Sequence, residues 1–172
     1  FSAADVLNKI TPATTLLIVN TPANPTGGIV PRAEMDALVA GLEQHPHVTV
    51  MCDEIYGRQL YDGEEHVSIL QYESMRERSI VLDGWSKTYA MTGWRLGYGV
   101  WPKHLVDHAE RIQINSSSCA NAATQVAAIE ALRGPQDAVE DMVRSFDERR
   151  KIIHAELNSI PGFSCVMPKG AC

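Results

Sequence analysis

The chain has 172 residues, 45% of them hydrophobic, enough for one domain with a buried core. A net charge of −6, with lysine and arginine dispersed, gives no electrostatic footprint for nucleic acid, and no run of 18 apolar residues offers a membrane span. Four cysteines, Cys52, Cys119, Cys165 and Cys172, show no Cys-x-x-Cys spacing, which fits reduced thiols and a cytoplasmic location better than a disulfide framework or a zinc site.

Residues 3–10 predict the tail of a helix, ended by Thr11 and Pro12. Residues 15–20, TLLIVN, form a short continuous apolar run, the pattern of a strand covered on both faces. The prolines and glycines of residues 21–28 require a loop. An amphipathic helix is expected over 31–44, with Pro31 in its first turn and Leu38, Val39 and Leu42 on one face. A second buried strand, 48–52, leads into Asp53, and 57–75 reads as loops with a short helix. Strands follow at 79–82 and 95–100, then helices over about 103–111, 124–132 and 136–159. The expected fold is α/β, a mostly parallel sheet between helix layers. Residues 84–94 are too few for the dozen or so that a parallel crossover needs, so the fourth strand should run antiparallel.

The chain is organised around residues 84–97, GWSKTYAMTGWRLG, directly after an apolar strand. A lysine near other positive charge, with its stem partly out of water, can be deprotonated and attack a carbonyl, and Lys87 is the candidate. Arg95 offers a fixed charge and a forked donor for a phosphate. An aldehyde and a phosphate together point to pyridoxal phosphate. Placement agrees, because ligands in open α/β sheets sit beyond the carboxyl ends of the strands, and Asn24, Asp53 and Lys87 each follow a predicted strand. An antiparallel fourth strand returns Arg95 to the same rim.

The stretch resembles the lysine signature of the class I/II aminotransferases of the fold-type I group, small-x-Ser-Lys followed by Gly-x-Arg-Leu-Gly. Two further motifs of that family occur upstream in order, Asn24-Pro25-Thr26-Gly27 and Asp53-Glu54-Ile55-Tyr56. The resemblance implies a three-layer sandwich and an enzyme that passes an amino group between an amino acid and a 2-oxo acid. It gives Lys87 the Schiff base with pyridoxal phosphate and then the proton transfer at the substrate Cα. Asp53 would pair with the cofactor's ring nitrogen, Tyr56 and Asn24 with its phenolic oxygen, and Ser86 and Arg95 with its phosphate. Gly84 stands where many relatives place a phosphate-binding serine, so that cup rests on Ser86, Arg95 and groups elsewhere. A cis bond before Pro25 is implied as well, and Glu54 should point away from its neighbour Asp53. Thr21, where relatives often have a polar amide or histidine, has no assigned role.

The start at Phe1 lacks an initiating methionine and a signal-peptide layout. The resemblance implies one incomplete large domain over residues 1–172, lacking the family's N-terminal segment and C-terminal small domain, and a homodimer in the full-length protein. Lyases, decarboxylases and synthases share the same motifs, and an inactive truncated domain is a further alternative. His45 with His47, and His104 with His108, lack a third ligand nearby and are expected to be solvated, so no metal is assigned. Residues 116–118, three serines, resemble a loop near the family's dimer interface or equally a helix-capping linker. Residues 24–28 lack the Gly-Lys-Ser/Thr of a nucleotide-binding P-loop.

Overall fold

The computed structural model describes residues 1–171. Strands β1 (Leu16–Asn20), β2 (Thr49–Asp53), β3 (Ser79–Gly84) and β4 (Gly97–Val100) form one sheet in the order β1-β2-β3-β4. The first three run parallel and β4 runs antiparallel to β3. The register aligns Asn20 with Asp53 and Asp53 with Leu82, while Gly84 faces Gly97. The carboxyl ends of three strands and the start of the fourth therefore share one edge.

The fourth strand begins at Gly97, not at Arg95 as the sequence predicts. Arg95 closes a 3-10 turn, Thr92–Trp94, with a left-handed φ of 53°, which takes it out of the extended ladder. The close crossing of β3 and β4 depends on glycine. A Cβ on Gly84 would lie 2.8 Å from the Gly97 Cα and 2.9 Å from the Leu96 carbonyl oxygen, so a serine here would push two backbones apart.

One face of the sheet carries the core. Val19, Cys52 and Val81 are in register and pack with Val50 in a cluster with helix α2 (Arg32–Leu42), whose Met35, Leu38 and Leu42 are fully buried. Leu38→Ala is expected to cost about 3 kcal/mol, from lost transfer energy and the cavity left behind, measured by denaturant unfolding. The opposite face corrects the expectation that β1 is covered on both sides. Leu16 is 42% and Ile18 63% exposed, because β1 is an edge strand and helices α1 (Ala3–Leu7) and α2 serve the other face.

Helix α1 stops at Leu7, short of residue 10, and tightens into turns in which Lys9 N donates to Val6 O and Ile10 N to Leu7 O. The carboxyl end of α2 is capped from a distance: the Arg78 guanidinium donates to the carbonyls of Leu42, His45 and Val48 at 2.7, 2.8 and 3.3 Å. A short helix that the sequence did not indicate, α3 (Trp85–Thr88), follows β3 directly. Helix α4 (Lys103–Ser117) continues past residue 111, so Ser116 and Ser117 are helical and Ser118 leaves at φ 59°. Helices α5 (Ala122–Arg133) and α6 (Asp137–Ser159) complete the chain of elements.

Two contacts fasten the last described residues near the strand-end loops. Gly27 has φ 67° and packs so closely on Pro168 that a Cβ would meet it at 2.4 Å, while Lys169 N and Gly170 N donate to the Gly27 carbonyl. Buried Arg150 on α6 makes a forked pair of 2.8 Å bonds to Asp62, also donates to Asp147 and the Pro168 carbonyl, and lies 4.5 Å over the Tyr61 ring. The Arg150 bonds hold the Asp62 carboxyl below its usual range, and a bond from Lys151, seconded by Arg150, does the same for Asp147.

Candidate active site

From the shared edge three segments extend. Asn24 lies four residues past β1, Tyr56 three past β2, and Lys87 on α3 right after β3. Asn24 Nδ2 donates to Tyr56 Oη at 2.9 Å, and Lys87 Nζ lies 5.5 Å from the centroid of the Tyr56 ring. Tyr56 is buried. Because the amide is the donor, the phenolic proton of Tyr56 is free to be given to another acceptor.

Asn20 ties the first two segments together. Its Oδ1 accepts from Asn24 N at 3.1 Å and its Nδ2 donates to the Asp53 carbonyl at 3.2 Å. Within the loop the peptide bonds before Pro22 and Pro25 are both cis. Thr21 is buried and accepts from Val30 N at 3.0 Å, so its hydroxyl serves to fold the loop.

Asp53 is the last residue of β2, half-buried, and one carboxylate oxygen accepts from Ile55 N at 3.3 Å. Glu54 turns the other way, as expected for adjacent strand residues. It is buried, pairs with His66 Nε2 at 2.7 Å and accepts from Ile69 N. Just before Asp53, burial, together with the Glu54 charge, pushes the Cys52 thiol up to about 12. The folded pKa lies above the unfolded one, so this contribution to stability is complete below the ordinary thiol pKa and is lost as pH rises through about 12. A thiol reagent at pH 8 is expected to label exposed Cys119 while Cys52 stays unmodified until the protein unfolds. Cys172 lies outside the described residues.

Lys87 and Ser86 are half-buried on α3, whose placement comes from Trp85. The indole Nε1 donates to the Ala128 carbonyl of α5 at 3.1 Å and the ring meets Tyr98 edge-on at 5.4 Å. Behind it Asp83 accepts from Gly84 N and from Tyr98 Oη. Burial raises the Asp83 carboxyl, and burial with the Asp83 charge raises the Tyr98 hydroxyl to about 12. Arg95 is exposed and donates to the Thr92 carbonyl at 2.9 Å, a bond within its own turn. The structure thus bonds Asn24 to Tyr56, sets Lys87 beside the Tyr56 ring and places Asp53 on the same edge, whereas the Arg95 guanidinium bonds within its own turn.

Known proteins share this sequence and this fold. The aminotransferase class I and II family profile matches residues 2–172. The chain belongs to this family. Among its relatives, the aspartate aminotransferase of Bacillus sp. (strain YM-2) is 40% identical over 171 residues, 99% of this chain and 43% of the relative. The aromatic-amino-acid aminotransferase 2 of Thermococcus litoralis is 38% identical over 98% of this chain and 44% of its own length. The crystal structure of the aspartate aminotransferase from Rhizobium meliloti superposes with a TM-score of 0.96 at 36% identity, covering 99% of this chain and 43% of that one. The chain therefore spans less than half the length of these class I and II aminotransferases, and its sheet is part of their fold. No helix among the described residues is long and apolar enough to cross a membrane.

The motifs of the family did not reveal three supports of this edge: Asn20, the Glu54–His66 pair and Trp85. Asn20 had a signal, since an asparagine ending an apolar strand before a turn is a natural bridge to neighbouring backbone. The others bond across the chain to partners that no local pattern names.

Proposed function

We propose that this chain carries the cofactor-binding core of a pyridoxal-phosphate-dependent aminotransferase, which passes an amino group between an amino acid and a 2-oxo acid. The observation that supports it most is the meeting of three groups from three strand ends, the 2.9 Å bond from Asn24 to Tyr56 with Lys87 Nζ 5.5 Å from the Tyr56 ring. The donor set fits pyridoxal phosphate: an amine for its aldehyde, a carboxylate for its ring nitrogen, and a phenol and an amide for its ring oxygen. A hydroxyl and a guanidinium, Ser86 and Arg95, suit its phosphate. When bound, pyridoxal phosphate supplies an electron sink for the charge left when a proton leaves the substrate Cα.

Lys87 Nζ holds the cofactor and then takes and returns the proton of the substrate Cα. The Asp53 carboxylate keeps a proton on the ring nitrogen; its bond from Ile55 N leaves the second oxygen for that task. Tyr56 donates its free proton to the ring oxygen, and Asn24 orients the hydroxyl that does so. Arg95 supplies charge to the phosphate from its exposed turn, with Ser86 beside Lys87 adding a hydroxyl.

The 172 residues are, in this proposal, a single incomplete large domain, consistent with the exposed Leu16 and Ile18 on one sheet face. A homodimer of the full-length protein fits the exposed apolar residues Ile112, Ile114 and Val126 on α4 and α5. A cytoplasmic location fits the unpaired Cys52, Cys119 and Cys165. The test is product analysis with aspartate, alanine and aromatic amino acids against 2-oxo acids. Stoichiometric conversion of amino acid to oxo acid supports transamination, whereas release of carbon dioxide or ammonia assigns a decarboxylase or lyase instead.

A further inference from the structure

Gln136 stands between α5 and α6, and both ends of its side-chain amide are engaged. Oε1 accepts from Arg58 Nη1 at 2.6 Å and from Tyr89 Oη at 3.3 Å. Nε2 donates to the carbonyls of Ala131 at 3.0 Å and Gly134 at 2.8 Å, at the end of α5. A guanidinium only donates and a carbonyl only accepts, so one orientation of the amide satisfies all four partners. Arg58 comes two residues after Tyr56, and Tyr89 two residues after Lys87. A single amide oxygen therefore grips the chain next to the candidate phenol and next to the candidate amine. The same group's nitrogen fixes both to the end of a helix.

We infer that Gln136 is a positioning residue that sets the placement of the Tyr56 segment relative to the Lys87 segment. Its relevance to cofactor binding rests on the function proposed above. Its main-chain carbonyl separately accepts from Val139 N and Glu140 N at the start of α6, a role that any side chain leaves in place. The two ends of the amide have separable jobs: the nitrogen finishes α5, and the oxygen aligns the site.

The test compares Gln136→Glu, which keeps acceptors for Arg58 and Tyr89 but loses both donors, with Gln136→Ala, which loses everything. Melting temperature, amide hydrogen exchange of residues 55–60 and 86–91 without cofactor, and the affinity and visible circular dichroism of added pyridoxal phosphate are measured in the protein. Both variants are expected to melt lower, because the end of α5 loses its donors. Only Gln136→Ala should speed exchange in both segments and weaken pyridoxal phosphate binding, each about tenfold, as loss of a roughly 1.4 kcal/mol hydrogen-bonded link predicts. Gln136→Glu should stay within about twofold of the parent on both, with an unchanged dichroic band. Unchanged exchange in Gln136→Ala, or an equal defect in Gln136→Glu, would overturn the inference and leave Gln136 as a helix-end residue. If exchange responds as expected while the parent protein takes up no pyridoxal phosphate, the positioning role is upheld and the proposed function is what fails.

Discussion

Lys87→Ala is expected to abolish covalent uptake of pyridoxal phosphate and to lower transamination by at least about 10⁴-fold, because one amine supplies both the nucleophile and the base. The side chain is half-buried and its amine lies 5.5 Å from the centre of the Tyr56 ring, so its removal should leave the fold intact. Far-UV circular dichroism and melting temperature should therefore match the parent protein. Lys87→Arg separates charge from nucleophilicity: the cation stays beside Tyr56, yet a guanidinium is not deprotonated in water and cannot replace the amine. Both variants should be equally inactive, with borohydride reduction and peptide mass spectrometry showing cofactor on Lys87 in the parent alone. Residual activity clearly above about 0.01 per cent of the parent in either variant would contradict the general-base assignment.

The second large effect is expected at Asp53. Asp53→Asn keeps the shape of the side chain and an oxygen for the Ile55 N–H, but removes the negative charge. An opposite charge at short range typically moves a protonation equilibrium by about one to three pKa units, so losing it should reduce turnover by roughly ten- to a thousand-fold. Cofactor affinity should fall less, since Lys87 and the phosphate ligands remain. Steady-state rates measured from pH 6 to 9 give a direct check, because without the carboxylate the activity should shift toward lower pH, where the ring nitrogen is protonated by solvent. A variant that turns over within about threefold of the parent at all pH values would remove Asp53 from the mechanism.

Much of the rim was legible because it depends on chain geometry that neighbours in sequence control. Three apolar, β-branched runs each end in a polar residue, and parallel strands deliver such ends to one edge. The short link from β3 to β4 compelled an antiparallel return. Arg95 shows where this logic stops. The motif singled out the residue and the short link set its side of the sheet, but a left-handed turn, invisible in the residue pattern, keeps it out of the strand. The run in β1 was apolar enough for two covered faces, yet Leu16 and Ile18 are exposed, since coverage depends on what packs there and not on the strand itself.

By itself the sequence determined which chemical groups are available and in what order, together with the parallel strands and the reversal after Lys87. These follow from continuous apolar runs, turn residues and the number of residues between strands, all local quantities. Only the tertiary structure decided which groups touch. The Asn24–Tyr56 bond, the Trp85 anchor on α5, the Arg78 cap on α2 and the convergence of Arg58 and Tyr89 on Gln136 join residues far apart in the chain. Such pairings are fixed by how packed elements bring donors to acceptors, and nothing in either partner's neighbours records the other's position.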